Sequence, residues 1–373
     1  MQEIISGKYT IKQIFQDHWD DFLSRHQLPQ HIITTVNKML SCRDPEKLGF
    51  HKYVCPDHPD QITIVPHSCK SKFCNVCGTY QTDKWMNKAL TSFPDTTYYH
   101  ITFTIPDYLW YFFRDNLKLL DLLFKASSEV ILLWFKERNI IPAICCGLHT
   151  FGKKINFNSH IHMIVSAGGL FSKKGKTYWK NISFIPYQKM LPLRWKAVLL
   201  KYLKPFLNSE LKELLYHLNW YVHVNMQVLD LEFTCKYIGR YSKKPALAET
   251  RITHYDGEFI TFLYKERNNP EITYAKLYWE EFISRLIQHI LPPQFRVIRY
   301  YGLLANRLKM NFQKIVSKLL KKVKTLLTNL PWRLRQTLFK GLDPLICKIC
   351  GKEMILKEFA FPSSSGGLAH MCF

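Results

Sequence analysis

His160 and His162, in the stretch NSHIHMIVSAGG, are separated by one residue in a run that alternates like a β-strand. A period of two points both imidazoles to one face, where they can hold one metal ion. The same spacing also describes two polar positions on a solvated strand. His149, in GLHTFG on the preceding strand-like run, bears on the choice. A hairpin between the two runs would set this third imidazole beside the pair; a satisfied core histidine is the alternative. Three histidines leave coordination positions open for water and a phosphate oxygen, as a Lewis-acid metal needs in order to polarise a phosphodiester.

The second constellation is CKYIGRYSKKPAL, where Tyr237 and Tyr241 lie four residues apart and share one face of a helix. A phenol, with a reference pKa of ~10, is a poor nucleophile unless a metal-activated phosphate or nearby cations favour the phenolate. Arg240, Lys243 and Lys244 supply such cations and could also grip a strand of DNA. In a chain with 20 tyrosines, two at helical spacing equally suit core packing, and it is their company with the histidines that favours chemistry.

The chain has 11 cysteines, several at metal-ligand spacing. Cys55-x2-His58 and, fifteen residues on, Cys74-x2-Cys77 match the two knuckles of a closed structural zinc site. Cys42, His51 and Cys69 remain in the same segment; with His67 they form a second site, or they are free buried thiols. In the tail, Cys347-x2-Cys350 with His370 and Cys372 reads as another closed site. The segments KSKFCNVCGTYQTDKW, with Lys70 and Lys72, and FRVIRYYGLLANRLK interleave cations with aromatics, which suits phosphate contact and base stacking on single strands.

These groups need a folded frame. With 373 residues, 47% of them hydrophobic, the chain can bury a substantial core. Its 52 Lys and Arg against 29 Asp and Glu give a net charge of +23, which favours a polyanionic partner, nucleic acid first. Every apolar stretch is interrupted by charge before the ~20 residues of a membrane span, and the N-terminus lacks the pattern of a signal peptide. A reducing cytoplasm is therefore expected, where cysteines serve as metal ligands or buried thiols.

Short runs rich in aromatic and β-branched residues read as five strands: YYHITFTI, AICCGLHTF, HIHMIVSA, WYVHVNMQV and FITFLY. Helical patterns lie between them, over 107–138, 186–217 and around 235–241, and a basic helical stretch, RLKMNFQKIVSKLLKKVKTLL, comes late. The expected class is α+β, an antiparallel five-stranded sheet covered by helices on one face. Four regions follow: a helix and zinc-binding segment over 1–92, a mixed strand and helix region over 93–268, a basic helical region over 269–340 and a Cys/His knuckle over 341–373.

Five blocks in order resemble the HUH-superfamily transposases of rolling-circle insertion sequences of the IS91 type: HSCKSKFCNVC, HITFTIP, LHTFG before NSHIHMIVSAGG, YIGRYSKKPAL, and RLIQHILPPQFRVIRYYGLLANR. The resemblance spans nearly the whole chain. It implies a ferredoxin-like or RRM-like nuclease sheet, His160 and His162 as the metal pair with His149 as a looser third ligand, and Tyr237 and Tyr241 as two nucleophiles forming a 5′-phosphotyrosine link. It also implies structural zinc, catalytic Mg2+ or Mn2+, single-stranded DNA ends as partner with self-association left open, and a prokaryotic, cytoplasmic, nucleoid-associated protein. His58 stands where relatives carry Cys, and Phe73 where a His often precedes the second knuckle, so zinc stoichiometry is open. A plasmid relaxase or replication initiator would use the same chemistry; a non-catalytic zinc-dependent DNA-binding protein is the reading from another class.

Overall fold

The computed structural model describes residues 9–182, 190–228, 231–266, 271–306, 315, 331–364 and 366–373. Apart from Ile315, the late basic stretch lies outside them. The chain opens with α1 (Ile11–Arg25), α2 (Gln30–Leu40) and α3 (Pro45–Leu48), then the hairpin β1 (Phe50–Val54) and β2 (Ile62–Pro66), and α4 (Asn75–Leu90). Thr10 caps α1 by accepting the Gln13 N–H at 3.0 Å. The helix then buries Ile11, Ile14, Phe15, Trp19 and Phe22, a spacing of three and four that faces one side inward.

The central part runs β3 (Tyr98–Phe103), α5 (Tyr108–Asp115), α6 (Leu120–Lys136), β4 (Ile140–Phe151), β5 (Phe157–Lys173), β6 (Lys176–Asn181), α7 (Met190–Leu203), α8 (Ser209–His217), β7 (Val222–Val228) and α9 (Leu231–Lys243). The long helical pattern over 107–138 is two helices because Asn116 leaves helical geometry and donates from its side chain to the Phe112 carbonyl at 2.9 Å, ending α5. The second pattern breaks after Leu203, where Pro205 cannot continue a helix. There follow β8 (Ile252–Tyr255), β9 (Phe259–Lys265), β10 (Ile272–Tyr278), α10 (Trp279–Ile287), β11 (Ile298–Gly302), α11 (Trp332–Lys340), β12 (Ile355–Pro362) and β13 (Leu368–Cys372).

The strands form three antiparallel sheets. The largest has the order β11-β4-β5-β3-β7, with β6 paired to β5. The α+β class with an antiparallel sheet holds, with two differences. FITFLY lies not here but in the small sheet β10-β9-β8; its alternation specifies a strand but not a partner, and Phe262 packs instead into a second core with Phe15, Trp19 and Phe282. The edge place goes to β11, from beyond residue 268, whose Ile298 pairs with Gly147.

The large sheet is also covered on both faces rather than one. Cys146, Leu148, Ile161, Met163 and Val165 pack with residues of α5, α6 and α7. On the opposite face, Cys145 and Ile164 meet Ala89 of α4 and Cys235 and Ile238 of α9. The third sheet, β13-β12-β1-β2, joins the two ends of the chain, so the tail expected as a separate knuckle over 341–373 completes the N-terminal hairpin.

Gly147 marks where α9 crosses β4. A Cβ there would lie 2.6 Å from Ile238 Cγ2 and 3.2 Å from Ser242 Oγ. Gly147→Val is expected to lower the unfolding free energy by ~1–3 kcal/mol through overpacking, read from the urea midpoint; an unchanged midpoint would mean that α9 is not held tightly on this strand.

Candidate catalytic and zinc centres

The register of β4 against β5 pairs His149 with His160 and Gly147 with His162. Pairing and alternation together put the three histidines on one face. Their ligand atoms all lie within 4.8 Å of one another. His149 and His162 ring centroids are 4.1 Å apart, His160 and His162 4.9 Å, and His149 and His160 5.4 Å.

Surrounding groups fix which nitrogens face inward. The Asn158 carbonyl accepts from His160 Nδ1 at 2.8 Å, leaving the Nε2 lone pair as the ligand atom. His162 Nδ1 lies 2.9 Å from His100 Nε2 and 3.1 Å from Thr102 Oγ1, both on β3, which again leaves Nε2 for the site. Burial pushes His149 and His162 well below the ordinary imidazole range, with neighbouring imidazoles adding to the effect; it also lowers His160, and it takes His100 to about 4. All four are therefore neutral at pH 7, the state in which imidazole binds a metal. Three neutral imidazoles at this spacing fit one divalent ion with positions to spare. His160 is half-buried while His149 and His162 are buried, so the site opens on the His160 side. Sequence reasoning missed His100; the available signal was polar His100 and Thr102 alternating with apolar residues in β3.

Tyr237, Arg240 and Tyr241 lie on α9, Lys243 ends it and Lys244 follows. Ile238 and Ser242 of this helix are set against Gly147, the cross-strand partner of His162. In sequence Tyr237 and Tyr241 each precede one of those two contact residues; the side chains of Tyr237, Arg240 and Tyr241 lie outside the described ones. From the other side α4 holds the helix: a Cβ on Gly239 would be 2.8 Å from the Trp85 ring, one on Gly78 would be 2.5 Å from the Lys243 carbonyl, and Thr82 donates to the Gly239 carbonyl at 3.3 Å.

The cysteines are paired differently from the sequence expectation. One cluster is Cys42, Cys69, Cys74 and Cys77; the other is Cys55, His58, Cys347 and Cys350. In the first, Sγ atoms of Cys42 and Cys77, Cys69 and Cys77, and Cys74 and Cys42 are each 3.6 Å apart. In the second, Cys55 Sγ is 3.7 Å from His58 Nδ1 and 3.5 Å from Cys350 Sγ. A tetrahedral ion at ~2.3 Å from each sulfur requires edges of about 3.8 Å, so both sets fit a closed structural zinc. The expected union of Cys55 and His58 with Cys74 and Cys77 does not form because β1 and β2 stand between them. Cys55 and His58 are at the hairpin tip, Cys42 and Cys69 at its base, and five strand residues span about 17 Å. His51 is outside both clusters, its Nδ1 3.1 Å from His67 Nε2, while His67 donates from Nδ1 to the Leu48 carbonyl at 2.9 Å. His370 bonds the Glu358 carboxylate at 2.6 Å, and Cys372 is exposed on β13.

Lys70 and Lys72 lie exposed on the loop between Cys69 and Cys74. Lys243, half-buried at the end of α9, is held below the ordinary lysine range by burial.

Residues 143–311 match the family model described as "Putative transposase", and residues 14–105 the "Transposase zinc-binding domain". The chain is 30% identical over 377 residues to the transposase for insertion sequence element IS801 of Pseudomonas savastanoi pv. phaseolicola, covering 94% of this chain and 90% of that protein. It belongs to the IS91-type transposases, with an N-terminal zinc-binding domain. A "Putative transposase y4qJ" of Sinorhizobium fredii is 26% identical over 327 residues, 80% of each chain. No solved structure matches the transposase. Among its described residues, no helix is long and apolar enough to cross a membrane.

The zinc-domain match holds all of the first cluster but only half of the second, whose remaining ligands come from the transposase's tail. Cys42→Ser and Cys350→Ser are each expected to lower the zinc content by one ion per chain, measured by elemental analysis, and the double variant by two. A Cys350→Ser protein that keeps its full zinc complement would sink the assignment of the tail to Cys55 and His58.

Proposed function

We propose that this transposase cleaves and rejoins single-stranded DNA at the ends of its insertion sequence through a 5′-phosphotyrosine intermediate, with Tyr237 and Tyr241 as the nucleophiles of a rolling-circle mechanism. The observation that carries this reading is the cluster of three imidazoles on the face of the β4–β5 pairing that also holds Gly147, the glycine on which α9 rests. Held by His149, His160 and His162, Mg2+ or Mn2+ would supply Lewis-acid polarisation of the scissile phosphate.

The chain's own residues account for the rest. The tyrosine Oη attacks phosphorus, the bond to the 3′ oxygen breaks, and that oxygen leaves as a 3′-OH after taking up a proton. The energy of the phosphodiester is retained in the tyrosyl ester, so a 3′-OH reverses the step and rejoins DNA without ATP. Arg240, Lys243 and Lys244, on or just beyond the same helix, favour the phenolate and hold the strand's phosphates. Two tyrosines one helical turn apart permit a second cleavage while the first end stays attached. Lys70 and Lys72 extend the phosphate contacts onto the zinc-binding domain, the part read here as gripping the element's DNA. His100 acts as a positioning residue, fixing the ring of His162.

The reading is tested with labelled single-stranded DNA from the element's own ends, incubated with zinc-loaded protein and Mg2+ or Mn2+. A denaturation-resistant protein–DNA adduct is expected, lost in the Tyr237→Phe/Tyr241→Phe double variant, after chelation and in His160→Ala, while His100→Ala forms it ~10–100-fold more slowly. Absence of any adduct on authentic ends, with folded protein that still binds them, would favour a non-catalytic zinc-dependent DNA-binding protein.

A further inference from the structure

Apart from the histidines, a cavity of about 510 Å3 lies where the zinc loop, the end of α9 and the segment from α10 to β11 meet. Lys72, Lys243, Lys244 and Arg296 line it, and no Asp or Glu does. Lys72, Lys243 and Arg296 make no ion pair among the described residues. Each lysine has a local explanation. Lys243 and Lys244 suit a helix C-terminus, and Lys72 would offset the negative charge of a tetrathiolate zinc. Arg296 has neither, since it lies exposed in the segment between α10 and β11. Lys72, Lys243 and Arg296, three cations from three elements, repel one another unless an anion sits between them.

Two further features say what kind of anion. Phe151 and Phe295, both half-buried, contribute aromatic surface to the same wall. The cavity is also not closed: a larger one, about 1160 Å3, shares Lys243, Phe295 and Arg296 and continues past Lys88 and Lys118, and the one carboxylate lining it, Asp121, is paired with Arg299. Continuous cationic lining beside aromatic faces is how proteins follow a single nucleic-acid strand, and a free phosphate or small metabolite would require no such continuation.

We propose that this cavity is one nucleotide step of a single-stranded DNA track in which Lys72, Lys243 and Arg296 hold a backbone phosphate and Phe295 stacks a base. The inference rests on the single-stranded DNA reading above and deepens it. The strand bridges the zinc-binding domain and the tyrosine helix, so that both grip the same molecule. Arg296, from neither, completes the grip.

The test is fluorescence anisotropy of a labelled oligothymidylate over a series of salt concentrations, using full-length, zinc-loaded protein carrying Tyr237→Phe and Tyr241→Phe. Arg296→Ala is expected to weaken binding several-fold and to reduce the slope of log affinity against log salt by about 0.7, the value for one lost phosphate contact on a single strand. Phe295→Leu keeps an apolar side chain; it is expected to weaken binding about fivefold or more with the slope unchanged. Lys201→Ala, on α7 across the large sheet, should alter neither. The track is overturned if Arg296→Ala leaves affinity and slope intact, if Lys201→Ala does as much, or if duplex of the same composition binds as tightly with the same dependence on Arg296. Failure here with normal adduct formation in the tyrosine-intact protein refutes the track alone; loss of the adduct with a normal slope change refutes the nuclease reading alone.

Discussion

The tyrosine helix is held by backbone approaches that only glycine permits. On one side Gly147 of β4 lets Ile238 and Ser242 come down onto the sheet; on the other, Gly239 accepts the face of Trp85, and Gly78 accepts the Lys243 carbonyl. At each of the three, a Cβ would sit under 3 Å from its nearest neighbour, so none of these contacts has slack to take up. The helix is thereby fixed relative to His162, whose cross-strand partner is Gly147, and to the zinc cluster, since Gly78 immediately follows the ligand Cys77. The histidine face, the helix with the two tyrosines and the first zinc cluster consequently form one packed unit.

Setting four histidines on one face, His149 and His162 buried and His100 and His160 half-buried, has a cost that the surroundings offset. An imidazole removed from water without a partner loses a few kcal/mol. Here the Asn158 carbonyl, Thr102 and His100 engage the Nδ1 atoms of His160 and His162 and leave Nε2 directed toward the common site. The same burial that lowers the histidine pKa values keeps them unprotonated near neutrality, so desolvation both prepares and endangers the site. It makes protonation of these residues unfavourable in the folded state.

The histidine site was the most legible feature because it depends on local periodicity. His160 and His162 alternate within one strand, and GLHTFG is close enough in sequence for a hairpin to return His149 to them. The α+β class was legible for the same reason. Partner choice was not. Nothing in the spacing of Cys55 and His58 separates Cys74 from Cys350 as a companion; the decision belongs to the β1–β2 hairpin, which separates tip from base, and to β12, which returns the tail to β1. FITFLY and RVIRYYG both read as strand-forming, and only packing against Phe282 or pairing with Gly147 sorts them between sheets. The glycines that seat α9 were silent, since a missing side chain leaves no pattern.

The two zinc clusters are alike in chemistry but unequal in consequence. The second joins Cys55 to Cys350 across 295 residues, and closing a loop removes freedom chiefly from the unfolded chain, by an amount that grows only slowly with its length. Its ligands lie at the hairpin tip and the tail, away from α9. The first cluster is the opposite case. Cys74 caps α4 and Cys77 lies in its first turn, so an ion there sets the start of the helix whose Gly78, Thr82 and Trp85 hold α9. Emptying the second cluster loosens the chain ends, whereas emptying the first removes the support of the helix that carries Tyr237 and Tyr241.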